Sequence, residues 1–230
     1  MISLIDAGAR FGPHPSWSTL FSLGLCKIHA FEPETKEFEW LFEKFSGNRN
    51  YIANKLALGD VECTLDLLIQ QHEGNSSFLK PNLEATWFKR VRPTDGKTKR
   101  QEKIQVITAE SYIDNLLKTS NASQNNEEIP RFLKTDTEGY DLNVMKGFGK
   151  YLDLLYGIRT EVIFGNTYHN MPSFGKIEEF LGENNFRLAN LDYDGKGSPQ
   201  DYLTANSQRF GILCGSEAVF IRSDEYYLSL

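Results

Sequence analysis

Short apolar runs alternate with stretches of helical periodicity along the whole chain. "SLIDAG" near the N-terminus is apolar enough for a strand buried on both faces. "SWSTLFSLG" predicts a short helix closed by Gly24, and "CKIHAFEP" a second strand stopped by Pro33. "ETKEFEWLFEKF" follows with Phe38, Leu41, Phe42 and Phe45 on one helical face. "YIANKLALGD" and "CTLDLLIQ" return to strand character, and "RFLKTDTEG" is a strand ending in acids and a glycine. "DLNVMKGFGKYLDLL" places Leu142, Met145 and Phe148 at helical core spacing. "IRTEVIF", the helix "FGKIEEFLGENN", "FRLANLDY" and "EAVFIRS" complete the set. Such alternation predicts an α/β fold, a mostly parallel central sheet with helices on both faces.

Two stretches interrupt the pattern. Residues 85–103, "ATWFKRVRPTDGKTKRQEK", are basic and carry a Thr-Asp-Gly turn signal. Residues 119–129, "TSNASQNNEEI", read as a polar loop. Neither resembles a linker, and no internal repeat is present. The expectation is a single domain over residues 1–230, with a strand-rich insertion around 62–108.

Composition narrows the class. The 230 residues carry a net charge of −6, which argues against a general nucleic-acid binder. No run reaches the ~20 apolar residues of a membrane span, and the N-terminus lacks a secretory signal. Cys26, Cys63 and Cys214 are odd in number and lack metal-like spacing. Reduced thiols in a cytoplasmic protein are the simplest expectation. The Asn75-Ser-Ser and Asn121-Ala-Ser triplets then carry no consequence.

In an open parallel sheet, ligands bind beyond the carboxyl ends of the strands. The first strand ends in "DAGARFG", where Asp6 precedes Gly8 and Gly12 in the spacing D-x-G-x-x-x-G. This is not the dinucleotide fingerprint G-x-G-x-x-G. Pro13 and Pro15 delay the following helix, which weakens a pyrophosphate site. An aspartate at the strand tip suits an ammonium or a water, and the glycines leave room for an amino-acid tail. The second strand ends in Glu32, twenty residues beyond Gly12, where a carboxylate accepts two ribose hydroxyls. Loop and acid together point to S-adenosylmethionine (SAM) more than to NAD.

The ordered set "IDAGARFG", "HAFEPETKEFEWL", "ALGD", "GNSSF" and "RFLKTDTEGYDLNVMKGF" resembles the FkbM family of SAM-dependent methyltransferases. "TEVIFGNTYHNMPSFGKIEEFLGENNFRL" and "GSEAVFIR" extend the resemblance over nearly the whole chain. It implies a Rossmann-like class I methyltransferase fold and O-methylation of sugars or other small hydroxyl-bearing metabolites. By that resemblance Asp6, Gly8 and Gly12 would line the methionine part of SAM and Glu32 its ribose, with Ala7, Arg10 and Pro33 also among the cofactor-binding residues. Leu58, Gly59 and Asp60 of "ALGD" would flank the adenine, with Ser76 and Ser77 at the pocket rim. Relatives usually carry a segment before the first strand that helps cover SAM. Many also have Asn and an uninterrupted helix where Arg10, Pro13 and Pro15 stand, so the cover over the cofactor is expected to differ here.

Methyl transfer to a hydroxyl needs a group that orients the nucleophile and accepts its proton. Asp136 and Glu138 stand two apart at a strand end, so extended geometry predicts that they share a face and repel. Asp136 is the first choice for the base and Glu138 the second, with capping of the next helix as the alternative for Glu138. Glu161, inside the apolar "TEVIF", must be paired if buried; the resemblance has an acid here too. His169, in a loop after the fifth strand, is the third catalytic candidate. Tyr168 beside it could stack on a sugar or pack within the protein. Asp136, Glu138 and a further acid could hold Mg²⁺, but no third ligand is fixed, so a metal-free site is favoured. Lys89, Arg90, Arg92, Lys97, Lys99, Arg100 and Lys103 could grip an acidic acceptor or RNA, and a solvated hairpin is the plainer expectation. The leading expectation is a small-molecule or glycan hydroxyl acceptor. An RNA or protein methyltransferase and a catalytically silent SAM-binding module stay open, as does the oligomeric state.

Overall fold

A computed structural model describes residues 1–85, 87–91, 94–119, 128–192 and 215–223. In chain order the elements are β1 (Ile2–Ala7), α1 (Pro15–Ser22), β2 (Cys26–Phe31), α2 (Thr35–Lys44), β3 (Tyr51–Asn54), β4 (Ala57–Leu58), β5 (Cys63–Gln70), β6 (Thr98–Ile107), α3 (Ala109–Thr119), β7 (Phe132–Thr135), α4 (Asp141–Lys146), β8 (Gly157–Ile163), α5 (Phe174–Glu183), β9 (Phe186–Asp192) and β10 (Gly215–Arg222). Seven strands form one sheet in the order β3-β2-β1-β7-β8-β10-β9. The β1–β2, β1–β7 and β2–β3 pairs are parallel, and β9 and β10 are antiparallel at one edge. A second, three-stranded sheet has the order β4-β6-β5.

The described residues fall into two compact units. One holds residues 1–67, 103–136 and 143–158. Its central strand β1 has Leu4 and Ile5 both fully buried, as a parallel strand covered on both faces requires. Leu4, Cys26, Ile28, Ala30, Leu41 and Tyr51 form the core on one side, closed by Trp17, Phe21 and Phe45 of the flanking helices and loops. Phe45 stacks on Tyr51 with ring centroids 4.1 Å apart. α2 starts on the Glu34 carboxylate, which caps Glu37 N. Its apolar face is narrower than the periodicity predicts: Leu41 is buried, but Phe42 is exposed, its ring tilted 31° to that of Phe38 at 5.8 Å. α3, capped by Thr108 Oγ1 accepting from Ser111 N, is a helix the apolar pattern did not single out.

"DLNVMKGFGKYLDLL" divides. α4 stops at Lys146, before Gly147, and a tighter turn covers Gly149–Leu154. Val144, Met145 and Phe148 are nevertheless fully buried. The second unit comprises residues 68–102, 137–142 and the described residues from 159 onward. Arg159 of β8 pairs through Nε with the buried Glu217 of β10. α5, capped by Ser173, lays Ile177 and Leu181 into the interior. Cys26 and Cys63 are free thiols; Cys214 and residues 120–127 of the polar loop lie outside the described residues. No helix among the described residues is long and apolar enough to cross a membrane.

Candidate functional site

The carboxyl end of β1 is built around a buried cation. In the parallel register of β1 and β7, Asp6 stands opposite Lys134, and residues paired in this way face the same side of the sheet. Asp6 is completely buried. Burial pushes its carboxyl above the usual range, while Lys134 pulls it back down. Lys134 Nζ lies 3.2 Å from Asp6 Oδ1, donates to Gly8 O at 2.9 Å and lies 3.6 Å from Asp136 Oδ2. The Lys134 side chain is 5% exposed, whereas that of Asp136 is 34% exposed. The ammonium expected at Asp6 is therefore the protein's own. Sequence reasoning missed Lys134, although a lysine in an apolar strand two residues before Asp136 was a readable signal.

The glycines answer to protein rather than to ligand on their Cβ sides. At Gly8, with φ +75°, a Cβ would come within 2.0 Å of Asp136 O. At Gly12, with φ +91°, it would meet the Phe45 ring at 3.0 Å. The room predicted for an amino-acid tail is, in those directions, filled by the β7 backbone and an aromatic ring. Gly8 N and Ala9 N both donate to Phe31 O, which locks the turn against β2. Ala7 is buried and its carbonyl accepts from Asp136 N at 3.1 Å. Between the glycines, Phe11 adopts φ +71° with its side chain exposed. Arg10 donates to Glu37 Oε1 at 2.9 Å.

Glu32 follows β2 directly and is buried, with Pro33 half-buried beside it. Its Oε1 accepts from Glu34 N at 3.0 Å. Burial pushes the carboxyl up to about 7, against the lowering effects of that hydrogen bond and of Arg10. Leu58 and Gly59 are buried at the end of β4, where Gly59 N donates to Ile107 O, and Asp60 is exposed. A carboxylate at the β2 tip fits the two hydroxyl donors of a ribose. At the methionine end Asp6 is already matched to Lys134. The residues thus fit SAM at its ribose, and leave its ammonium to other groups.

In the second unit, Glu138 does not continue the strand. Its φ is +52°, so the alternation that would put it on one face with Asp136 does not apply. Its Oε2 accepts from Tyr168 Oη at 2.8 Å, and its carbonyl accepts from Ser77 Oγ at 2.8 Å. Asp141, the first residue of α4, braces the turn before the helix: its buried carboxylate accepts from Thr137 N and Gly139 N. Tyr168 is itself buried, edge-on to Phe88, and its hydroxyl also lies 3.0 Å from Asn75 O. It packs within the protein. Ser77 is buried, and Ser76 Oγ donates to Glu73 O at 2.6 Å. His169 is exposed, anchored by its amide to Lys80 O. Glu161 is half-buried on β8, and it and Glu138 present carboxylate oxygens within 4.8 Å of each other.

Among the described residues of the basic stretch, four cations lie beside acids. Lys89 meets Glu84 at 2.7 Å, Lys99 meets Glu73 at 3.1 Å, and Arg100 meets Glu102 at 2.6 Å. Lys103 lies 3.5 Å from Asp66.

The family model of the methyltransferase FkbM domain matches residues 6–188. Among solved structures, the fold is similar to the 2.20 Å crystal structure of methyltransferase FkbM from Methylobacillus flagellatus KT, with a TM-score of 0.51. The two chains are 11% identical, over 96% of this chain and 44% of the other. At that identity the likeness concerns the fold, and this chain spans less than half the length of that protein. No curated protein matches. The span of the family match, together with this sheet, places the chain in the FkbM methyltransferase domain family.

Proposed function

We propose that this domain transfers a methyl group from SAM to a hydroxyl of a saccharide or other small metabolite. The observation that carries this reading is Asp136, a partly exposed carboxylate at the carboxyl end of β7 with a buried ammonium behind it. SAM, when bound, supplies a methyl group on a positively charged sulfur. Glu32 would accept hydrogen bonds from the ribose hydroxyls. Asp136 orients the acceptor hydroxyl and takes its proton on a carboxylate oxygen, which leaves the acceptor oxygen free to attack. Glu138 is held by the Tyr168 phenol and, at its carbonyl, by Ser77, so it is less free than Asp136 to receive a proton. Its carboxylate and that of Glu161 are oxygen ligands of the kind magnesium takes.

A polymer acceptor gripped by the basic stretch is less well supported, because Lys89, Lys99, Arg100 and Lys103 each lie beside an acid. The test has two stages. Calorimetry should register binding of SAM and of S-adenosylhomocysteine; no heat and no thermal shift with either would count against the reading. Transfer of labelled methyl from SAM should then be followed over a panel of glycans and small hydroxyl compounds. Asp136→Asn should keep S-adenosylhomocysteine affinity within about twofold while losing transfer by roughly 10²-fold or more. Undiminished turnover in that variant would remove Asp136 from the mechanism.

A further inference from the structure

We infer that Lys134 is a positioning residue: its ammonium clamps the glycine turn after β1 to the acidic tip of β7. The inference rests on the SAM reading above.

A lysine ammonium offers three donors. Lys134 Nζ meets three oxygens from three different places: Asp6 Oδ1, Gly8 O and Asp136 Oδ2. Asp6 alone would neutralise a buried lysine, and the remaining ammonium protons still need acceptors, of which Gly8 O is one. The donation to Gly8 O has another effect. It fixes a backbone carbonyl in the turn that, on the SAM reading, cradles the cofactor. Gly8 has φ +75° and stands against Asp136 O with no space for a Cβ. The turn and the β7 tip are therefore seated on each other, and Lys134 holds both. Asp6 N-terminal to the turn and Asp136 at the tip are linked through this one cation, so its loss frees the turn and the acid together. Alternation along β7 puts Lys134 and Asp136 on one face, and the register puts Asp6 there too.

A purely structural ion pair and a clamp respond differently to double substitution. Lys134→Met alone leaves the buried Asp6 carboxylate uncompensated and should lower the unfolding midpoint. Asp6→Asn with Lys134→Met leaves no buried charge, so the midpoint should return toward that of the wild type. Under the clamp, S-adenosylhomocysteine binding does not return with it. The double variant should bind roughly tenfold more weakly or worse, the scale of one lost charge-assisted hydrogen bond. Calorimetry with S-adenosylhomocysteine on the wild type and all three variants, beside thermal unfolding, reads both quantities. A double variant that recovers its midpoint and also binds like the wild type overturns the inference. If the double variant fails to fold, Asp6→Asn with Lys134→Leu, which also removes the donor to Gly8 O, serves as the second comparison under the same criteria. A wild type that binds neither SAM nor S-adenosylhomocysteine would instead defeat the SAM reading itself, a result distinct from equal binding by wild type and double variant.

Discussion

Tyr168 Oη donates to Glu138 Oε2 across 2.8 Å, from a side chain that is almost completely buried. The residue it holds sits at φ +52°, a conformation that disfavours any side chain larger than glycine. Ser77 Oγ secures the same residue through its carbonyl. Tyr168→Phe removes the donor and leaves the ring packing against Phe88 intact. A lost hydrogen bond to a charged acceptor is expected to cost ~1.5–3 kcal/mol. Urea unfolding at neutral pH measures this. An unchanged midpoint would mean that the phenol and the carboxylate do not stabilise the turn.

Gly8→Ala tests the seating of β1 on β7. The new methyl would overlap Asp136 O at 2.0 Å, on a backbone at φ +75°. The left-handed backbone alone costs ~1–2 kcal/mol, and neither the β1 nor the β7 backbone can give way without breaking the Asp136 N to Ala7 O hydrogen bond. The thermal midpoint should fall by well over 5 °C, at roughly 2–4 °C per kcal/mol for a chain of this size. Gly24→Ala, also at positive φ but with only Asn50 Nδ2 nearby at 3.9 Å, should lose much less.

The fold was legible wherever burial alone decides a position. Leu4 and Ile5 announce a strand covered on both faces, and Met145 and Phe148 lie in the core as their spacing predicts. What failed was local geometry. Glycine at 147 and 149 cut a continuous apolar period into a helix and a turn, and the exposed Phe42 shows that periodicity marks a face without saying how far the partner extends. At the site, Glu138 was read as extended because strand alternation carries no warning of a left-handed residue. Asp6 reads in sequence as a partner for an ammonium or a water; the lysine that lies beside it is 128 residues away in the chain, on a strand whose register only the sheet reveals. Glycine pairs signal close approach without naming what approaches: on their Cβ sides Gly8 and Gly12 meet Asp136 and Phe45.

His29 makes the fold acid-sensitive. It is fully buried, with Nδ1 2.8 Å from Tyr112 Oη. Burial, aided by Lys27, pushes its imidazole down to about 4 from the usual 6.5. Between those values the unfolded chain holds the proton and the folded one does not, so stability falls as pH drops from 6.5 toward 4. The slope is at most about 1.4 kcal/mol per pH unit. His29→Gln should abolish this contribution in urea titrations run across that window. An identical pH dependence in that variant would show that the imidazole takes no part.

Glu32 works in the opposite direction, and its pH dependence extends to the ligand. Its folded carboxyl sits at about 7 against an ordinary 4.5, so between those values the folded chain holds the extra proton. Its contribution to stability is therefore lost as pH rises through that window. Glu32 and His29 thus offset each other where their windows overlap, and each single variant should unmask the slope of the other. Ribose hydroxyls donated to Glu32 favour its ionised form. On the SAM reading, S-adenosylhomocysteine binding below about pH 7 must then expel a proton. Affinity should climb by up to about tenfold per pH unit toward 7 and level off above it. Calorimetry at pH 6 in buffers of different ionisation enthalpy should detect the released proton directly. Glu32→Gln keeps an acceptor but cannot titrate, so its affinity should be weaker at pH 8 and flat with pH. A wild type whose affinity is equally flat between pH 6 and 8 would separate Glu32 from the ribose.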